Sequence, residues 1–416
     1  MNYDASVPQF PLLHLPPPKG VWRADTPAML SVLCQLVASG QATTKASLVT
    51  AMGLARSTVS SYVDILVRKK MLTYSGIVER FNRGRPAEQL DLSSEAGLVL
   101  AIDLGVLHAN LAIGEFGQRV IARRSHRIDV RDGPEVVLGQ LCRELEEDLE
   151  RVGQSRQVRS IVIGIPARVD GPSGVAVHPN IMPGWDGYPI SLTLQKRFGA
   201  VAILENDAML RAIGEAATLE PDQLPVVAIK IGTGVGAGIV DHTGHVFHGF
   251  SGSAGDIGHT KVCEAAHTLC TCGMEGCVEA VASVPSMIRT LHLRNPSLFD
   301  QSTDQLDQLL EMVRRHQPDA IAVVRQAAET LGAMTTTVCH TINPRRVVIS
   351  GELTNVTDEL LSGIRAYVYR HARPLTTRDL SISHSRLGES GLAGALVAAR
   401  HAGLSPESLR RVMATF

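Results

Sequence analysis

Two runs lie close together past the middle of the chain: GSAGDIGHTKV, Gly252–Val262, and CTCGMEGCVEAVAS, Cys270–Ser283. Three of the seven cysteines, Cys270, Cys272 and Cys277, fall within eight positions of the second run, while Cys34, Cys142, Cys263 and Cys339 are scattered. The Cys-x-Cys and Cys-x4-Cys spacings, with Gly273 and Gly276 able to turn sharply, let three thiolates converge at about 2.3 Å on one zinc ion. Without a metal, three thiols so close together would be readily oxidised. A fourth ligand is needed, and His259, Cys263 and His267 all lie near enough in sequence to supply it.

Outward from this cluster the chain alternates strands and helices. LVLAIDLGVLHANLAIGEF, from Leu98, reads as two strands meeting at a glycine turn. A helix ELEEDLERV, a buried strand SIVIGIPARV, a strand running into a helix (VAILENDAMLRAIGEA) and a glycine-rich hairpin (VVAIKIGTGVGAGIVD) follow. RRVVISGEL and a small-residue helix, GLAGALVAARHAG, close the pattern. Repeated strand-to-helix switches predict two α/β lobes with a cleft between them.

The whole chain has 416 residues, 44% hydrophobic and 19% charged, with a formal charge of -1. That suits a soluble protein of two or three domains and gives no overall attraction to nucleic acid, so a DNA-binding surface must come from local charge. The odd cysteine count does not suit a disulfide framework, residues 1–20 do not read as a signal peptide, and no run reads as membrane-spanning. A reduced, cytoplasmic setting is expected. Residues 1–25 read as a disordered, proline-rich tail. Residues 26–95 then give a helix from Thr26 to Gly40, a short helix capped by Thr43 or Thr44 and closed by Gly53, and a longer one with Val59, Val63, Leu66 and Val67 on one face. Two strand-like runs around Gly84-Arg85-Pro86 complete a winged helix-turn-helix. Arg56, Ser57, Thr58, Ser60, Ser61 and Tyr62 give the third helix a polar face suited to phosphates and base edges, and Arg83 and Arg85 make the wing basic, as do Arg68, Lys69, Lys70 and Arg80 around them.

Taken together, GSAGDIGHTKV, CTCGMEGCVEAVAS, GTGVGAG, HPNIMPGW and RRVVISG resemble the signature of the ROK family, which groups bacterial sugar kinases with sugar-responsive transcription factors. The resemblance runs from Leu98 to Gly403, and the winged helix, with its Gly-Arg-Pro wing, is similar to the family's regulator branch. It implies a two-lobed, actin-like ATPase fold over residues 96–416, with the C-terminal helix returning to the first lobe. It further implies that His259 joins Cys270, Cys272 and Cys277 around zinc, leaving Cys263 and His267 outside. Asn180, Asn206, Asp207, Asp256, His259 and Glu279 would contact the sugar, consistent with the way amides, carboxylates and imidazoles match ring hydroxyls. Zinc would brace that site rather than act as a Lewis acid. Asp256 stands where the family usually has Glu, and Asn206-Asp207 also suits a helix cap.

The same resemblance puts Asp207 at the position of the kinases' catalytic base, so a bifunctional kinase and regulator is the alternative reading. Against it, Val106 and Leu107 of Asp103-Leu104-Gly105-Val106-Leu107-His108 replace a small residue and a hydroxyl in the kinases' first phosphate turn. Glu352 would also repel a polyphosphate. The expected function is a sugar-responsive regulator without kinase activity, a repressor of carbohydrate uptake or catabolism genes. It would bind pseudo-palindromic operator DNA as a homodimer or tetramer, with a monosaccharide as effector.

Overall fold

The computed structural model describes residues 26–78, 87–117, 119–153, 156–300 and 304–414. The stretch 1–25 and the turn with Arg80, Arg83, Gly84, Arg85 and Pro86 lie outside the described residues. Helices α1 (Thr26–Ala38), α2 (Lys45–Met52) and α3 (Arg56–Arg68) precede an antiparallel pair, β1 (Leu72–Val78) and β2 (Ala87–Leu92). A reciprocal cap starts α2: the Thr44 hydroxyl accepts the Ser47 N–H at 3.1 Å and the Ser47 hydroxyl accepts the Thr44 N–H at 3.0 Å. α3 buries Val59, Val63 and Leu66 on one face and leaves Val67 half-buried. The Leu90 N–H donates to the Thr43 carbonyl at 2.7 Å, tying the hairpin to the start of α2.

The chain divides into two units, residues 1–218 with 391–416, and residues 219–390. After the segments above, the first unit continues through β3 (Leu98–Leu104), β4 (His108–Glu115), β5 (Val120–Arg127), α4 (Pro134–Arg151), β6 (Val158–Ile165), β7 (Arg168–Asp170), β8 (Val175–Val177), α5 (Ile190–Phe198), β9 (Val201–Asn206) and α6 (Asp207–Ala216). Its main sheet has the order β5-β4-β3-β6-β9; β5, β4 and β3 are antiparallel, and β3, β6 and β9 are parallel. Every residue of β3 is buried, which is why LVLAIDL reads as a nearly unbroken apolar run. Leu100, Ile163, Leu141 and Trp185 belong to its core, and the Trp185 indole N–H donates to the Val130 carbonyl at 2.8 Å. Helix α4 starts well before the acidic run that announces it, because Pro134 sits at its first position, where a missing N–H costs nothing.

The second unit holds β10 (Val226–Ile231), β11 (Val235–Val240), α7 (Glu279–Ala282), α8 (Val284–Arg294), α9 (Gln305–Arg314), α10 (Pro318–Ile342), β12 (Arg346–Ser350), α11 (Glu359–His371), α12 (Pro374–Thr377) and β13 (Ser381–His384). The order is β11-β10-β12-β13, with β11 alone antiparallel to its neighbour. α10 packs along α11, and both feed a core that includes Val324, Leu331, Ile349 and Ile364. Finally α13 (Ser390–Gly403) and α14 (Pro406–Ala414) follow; residues 391–416 belong to the first unit. There α14 packs along α1, and the buried Ser31 hydroxyl donates to the Leu404 carbonyl at 2.6 Å.

Candidate metal centre and effector-contact residues

The cysteine loop is clipped to the segment before it. Lys261 and Cys277 form an antiparallel bridge, flanked by hydrogen bonds from Val262 N–H to Gly276 O (2.8 Å) and from Val278 N–H to Thr260 O (3.0 Å). Within the loop, Cys270 N–H donates to Met274 O at 2.9 Å and Gly276 N–H to Thr268 O at 3.1 Å. These bonds gather His259, Cys270, Cys272 and Cys277, whose ligand atoms all lie within 4.8 Å of one another. Cys272 Sγ is 3.7 Å from Cys277 Sγ, and Cys270 Sγ is 3.7 Å from His259 Nδ1. A tetrahedron with zinc–sulfur bonds of about 2.3 Å has edges of about 3.8 Å, so the donor set could hold such an ion. Cys263 and His267 are exposed and stand outside the group.

The electrostatics around the thiols are uneven. Burial pushes the Cys270 thiol up to about 11. At Cys272 burial also raises the pKa, but the Met274 N–H, hydrogen bonds with Cys270 and Cys277, and the Lys261 charge outweigh it and lower the value. The Lys261 ammonium reaches Cys277 Sγ at 3.2 Å and the Glu275 carbonyl at 2.5 Å. No sequence signal singled out Lys261; its role comes from the bridge that seats it over the loop.

The effector-contact candidates divide between the units. In the second, Asp256 and His259 stand in a turn pressed against β11. A Cβ on Gly255, itself at φ +88, would lie 1.8 Å from the Ala237 carbonyl oxygen, so only glycine fits there. Asp256 Oδ1 is 3.7 Å from His259 Nε2, the ring nitrogen opposite the one facing Cys270. Glu279, at the start of α7, spans two segments: one carboxylate oxygen accepts the Val235 N–H at 3.0 Å and the other the Thr271 hydroxyl at 3.2 Å. In the first unit, Asn180 is exposed in a turn and Asp207 is buried in the first turn of α6. Asn206 caps α6, accepting from the Ala208 and Met209 N–H groups at 2.9 and 3.3 Å, while its amide donates to the Ala167 carbonyl at 2.9 Å.

The two glycine-containing turns are occupied by the chain's own side chains. At the first, Gly105 N–H donates to the His108 carbonyl at 2.8 Å, and the His108 ring lies so close that a Cβ on Gly105 would meet it at 2.5 Å. The Asp103 carboxylate lies against Gly391 at the start of α13, with Arg211 Nη2 at 3.8 Å. At the second, Gly232 has the Lys230 chain and the Glu352 carboxylate beside it, and Glu279 takes the Val235 N–H. No sequence signal singled out His108 as the filler of the first turn.

On α3, Arg56, Ser57 and Ser61 are exposed and Thr58, Ser60 and Tyr62 are half-buried. The basic end of that helix is partly neutralised, since Lys70 pairs with Glu95 at 2.5 Å. Arg83 and Arg85 lie outside the described residues.

The chain is 23% identical over 343 residues to the xylose repressor of Bacillus spizizenii, covering 82% of this chain and 86% of that one. It is 26% identical over 310 residues to a glucokinase of Thermotoga maritima, covering 71% and 95%. A crystal structure of a ROK family transcriptional regulator, described as a homologue of the Escherichia coli Mlc protein, superposes with a TM-score of 0.75 at 22% identity, covering 93% of this chain and 99% of that one. The fold is therefore the actin-like, sugar-kinase type. With the ROK sequence profile matching residues 99–402, across both sheets and the clipped cysteine loop, the chain belongs to the ROK family.

Proposed function

We propose that this chain is a transcriptional repressor whose hold on operator DNA responds to a monosaccharide. The observation that carries the reading is the joining of a three-helix and hairpin module to a ROK body whose first glycine turn is filled by its own His108. A kinase needs that turn open, so that backbone N–H groups can approach a polyphosphate. Here the His108 imidazole stands in the way, while Val106 packs against the core of the first unit and Leu107 is exposed. α3 reads the DNA through Arg56, Ser57, Thr58, Ser60, Ser61 and Tyr62, with Arg83 and Arg85 on the wing. Asn180, Asn206, Asp207, Asp256, His259 and Glu279 supply the sugar contacts. Asn206 brings to that role only what its cap leaves over.

Zinc is the metal of the set formed by His259 and the three cysteines, which closes four positions and so serves architecture rather than catalysis. It fixes His259 and the loop that leads to Glu279. The working form is a homodimer or tetramer in the cytoplasm, matched to a pseudo-palindromic operator. Sugar relieves repression through a coupling of about 5- to 150-fold in DNA affinity.

The test has two steps. D-xylose and D-glucose, suggested by what the relatives are named for, head a thermal-shift panel of sugars and their phosphates, since a ligand of the folded state raises its melting temperature. Duplexes selected from a random pool are then titrated with and without the sugar that binds. The expected result is an inverted repeat released by sugar. Selection of no sequence at all would refute the reading. The retained Asp207 supports the alternative of a kinase that also regulates; sugar phosphate formed from ATP and magnesium would favour it.

A further inference from the structure

We infer that the helical pair α13–α14 is the joint that carries effector binding to the DNA-reading helices. The inference rests on the reading of Asn206 and Asp207 as sugar contacts and of α3 as the DNA reader. Both residues sit where β9 passes into α6, and both ends of that segment touch the pair. At one end, α6 and α13 meet backbone to backbone: a Cβ on Gly394 would lie 1.7 Å from the Leu210 carbonyl oxygen. At the other, the Gly199 carbonyl, just before β9, accepts from Arg411 Nη1 of α14 at 3.2 Å. Glu407 Oε1 holds the same guanidinium from 2.8 Å.

The pair in turn grips the DNA-reading module. The Leu404 carbonyl, in the link between α13 and α14, accepts the Ser31 hydroxyl of α1, and Ser31 is only 1% exposed. α14 lies along α1, and α1 in turn packs against α2 and β2. Close-packed backbones transmit displacement because there is no slack to absorb it. A shift at Asn206 and Asp207 therefore tilts α13–α14 from two anchor points, and α1 follows with the helices it supports.

Neither Ser31 nor Arg411 belongs to the proposed sugar-contact or DNA-contact sets, so each can be removed without touching them. In the full chain, Ser31→Ala and Arg411→Leu should leave sugar affinity and sugar-free DNA affinity within about twofold of wild type. The sugar-induced change in DNA affinity should shrink by roughly 2- to 30-fold, the range for substitutions along a coupling route. D-xylose and D-glucose are the probes. An undiminished change in both variants would overturn the joint. Hydrogen exchange provides a reading independent of sugar and DNA: residues 26–38 and 404–414 should exchange faster in Ser31→Ala, and unchanged exchange there would also overturn it. If neither sugar alters the wild type's melting or exchange, the sugar reading fails for these probes, while the exchange comparison still decides whether Ser31 fastens α1 to the pair.

Discussion

Glu279 offers the sharpest separation of support from recognition. Its carboxylate accepts the Val235 N–H at 3.0 Å and the Thr271 hydroxyl at 3.2 Å, so it is a strut between β11 and the cysteine loop. Glu279→Ala strands the Val235 N–H, on a residue only 5% exposed, at a cost of about 1–3 kcal/mol. The exposed Thr271 hydroxyl turns to water at little cost. For a unit of this length each kcal/mol moves the melting temperature by roughly 2–4 °C, so the drop should be about 2–12 °C. Glu279→Gln keeps the length and can still accept from Val235 while its amide donates to the Thr271 oxygen. It exchanges two hydrogen bonds to a charged group for neutral ones and should lose clearly less stability than Glu279→Ala. Differential scanning fluorimetry of both variants, with and without chelator, measures this directly. Equal melting temperatures for Glu279→Ala and wild type would refute the strut; a parallel sugar titration would then show whether the carboxylate serves recognition alone.

Metal analysis of purified protein should find about one zinc per chain, and Cys272→Ser should lose it together with the sugar response, because the thiolates hold the loop that leads to Glu279. Arg56→Ala on α3 and Arg85→Ala should weaken operator binding without affecting sugar, and wild-type binding should fall steeply as salt rises; salt-independent binding would argue against phosphate contacts. Asp207→Asn should weaken sugar binding roughly 10- to 100-fold, the loss of one charge-assisted hydrogen bond, and leave sugar-free DNA affinity unchanged. Wild type given ATP, magnesium and sugar should form no sugar phosphate, a result checked by a coupled ADP assay; turnover abolished by Asp207→Asn would restore the kinase alternative.

The convergence of Cys270, Cys272 and Cys277 was legible because thiol spacing and paired glycines state their geometry in one dimension. Choosing His259 over Cys263 and His267 was not a matter of spacing; it took the family resemblance, and the clip between Lys261 and Cys277 gives the physical reason. The strands were readable wherever burial on both faces made the run apolar, as in β3. Helix α10 went unread, since threonines near its end favour strands when judged by propensity alone. In the folded chain Thr335 and Thr336 return their hydroxyls to the Leu331 and Gly332 carbonyls at 2.7 and 2.8 Å, satisfying themselves inside the helix. His108 folding back over Gly105, and Arg411 reaching Gly199, join residues through tertiary approach that no local pattern encodes.

The bond between Ser31 and Leu404 spans 373 positions of sequence, so helix α1 is closed by a segment made long after it. A ribosome adds about 5–20 residues per second, which leaves α1 waiting roughly 20 to 75 s for the surface that covers it. Over that interval α2, α3 and the hairpin can assemble on one side of α1, while its other side stays wet. Nascent chains stalled before residue 404 should therefore bind a chaperone that captures exposed apolar helices, and release it once α14 has emerged.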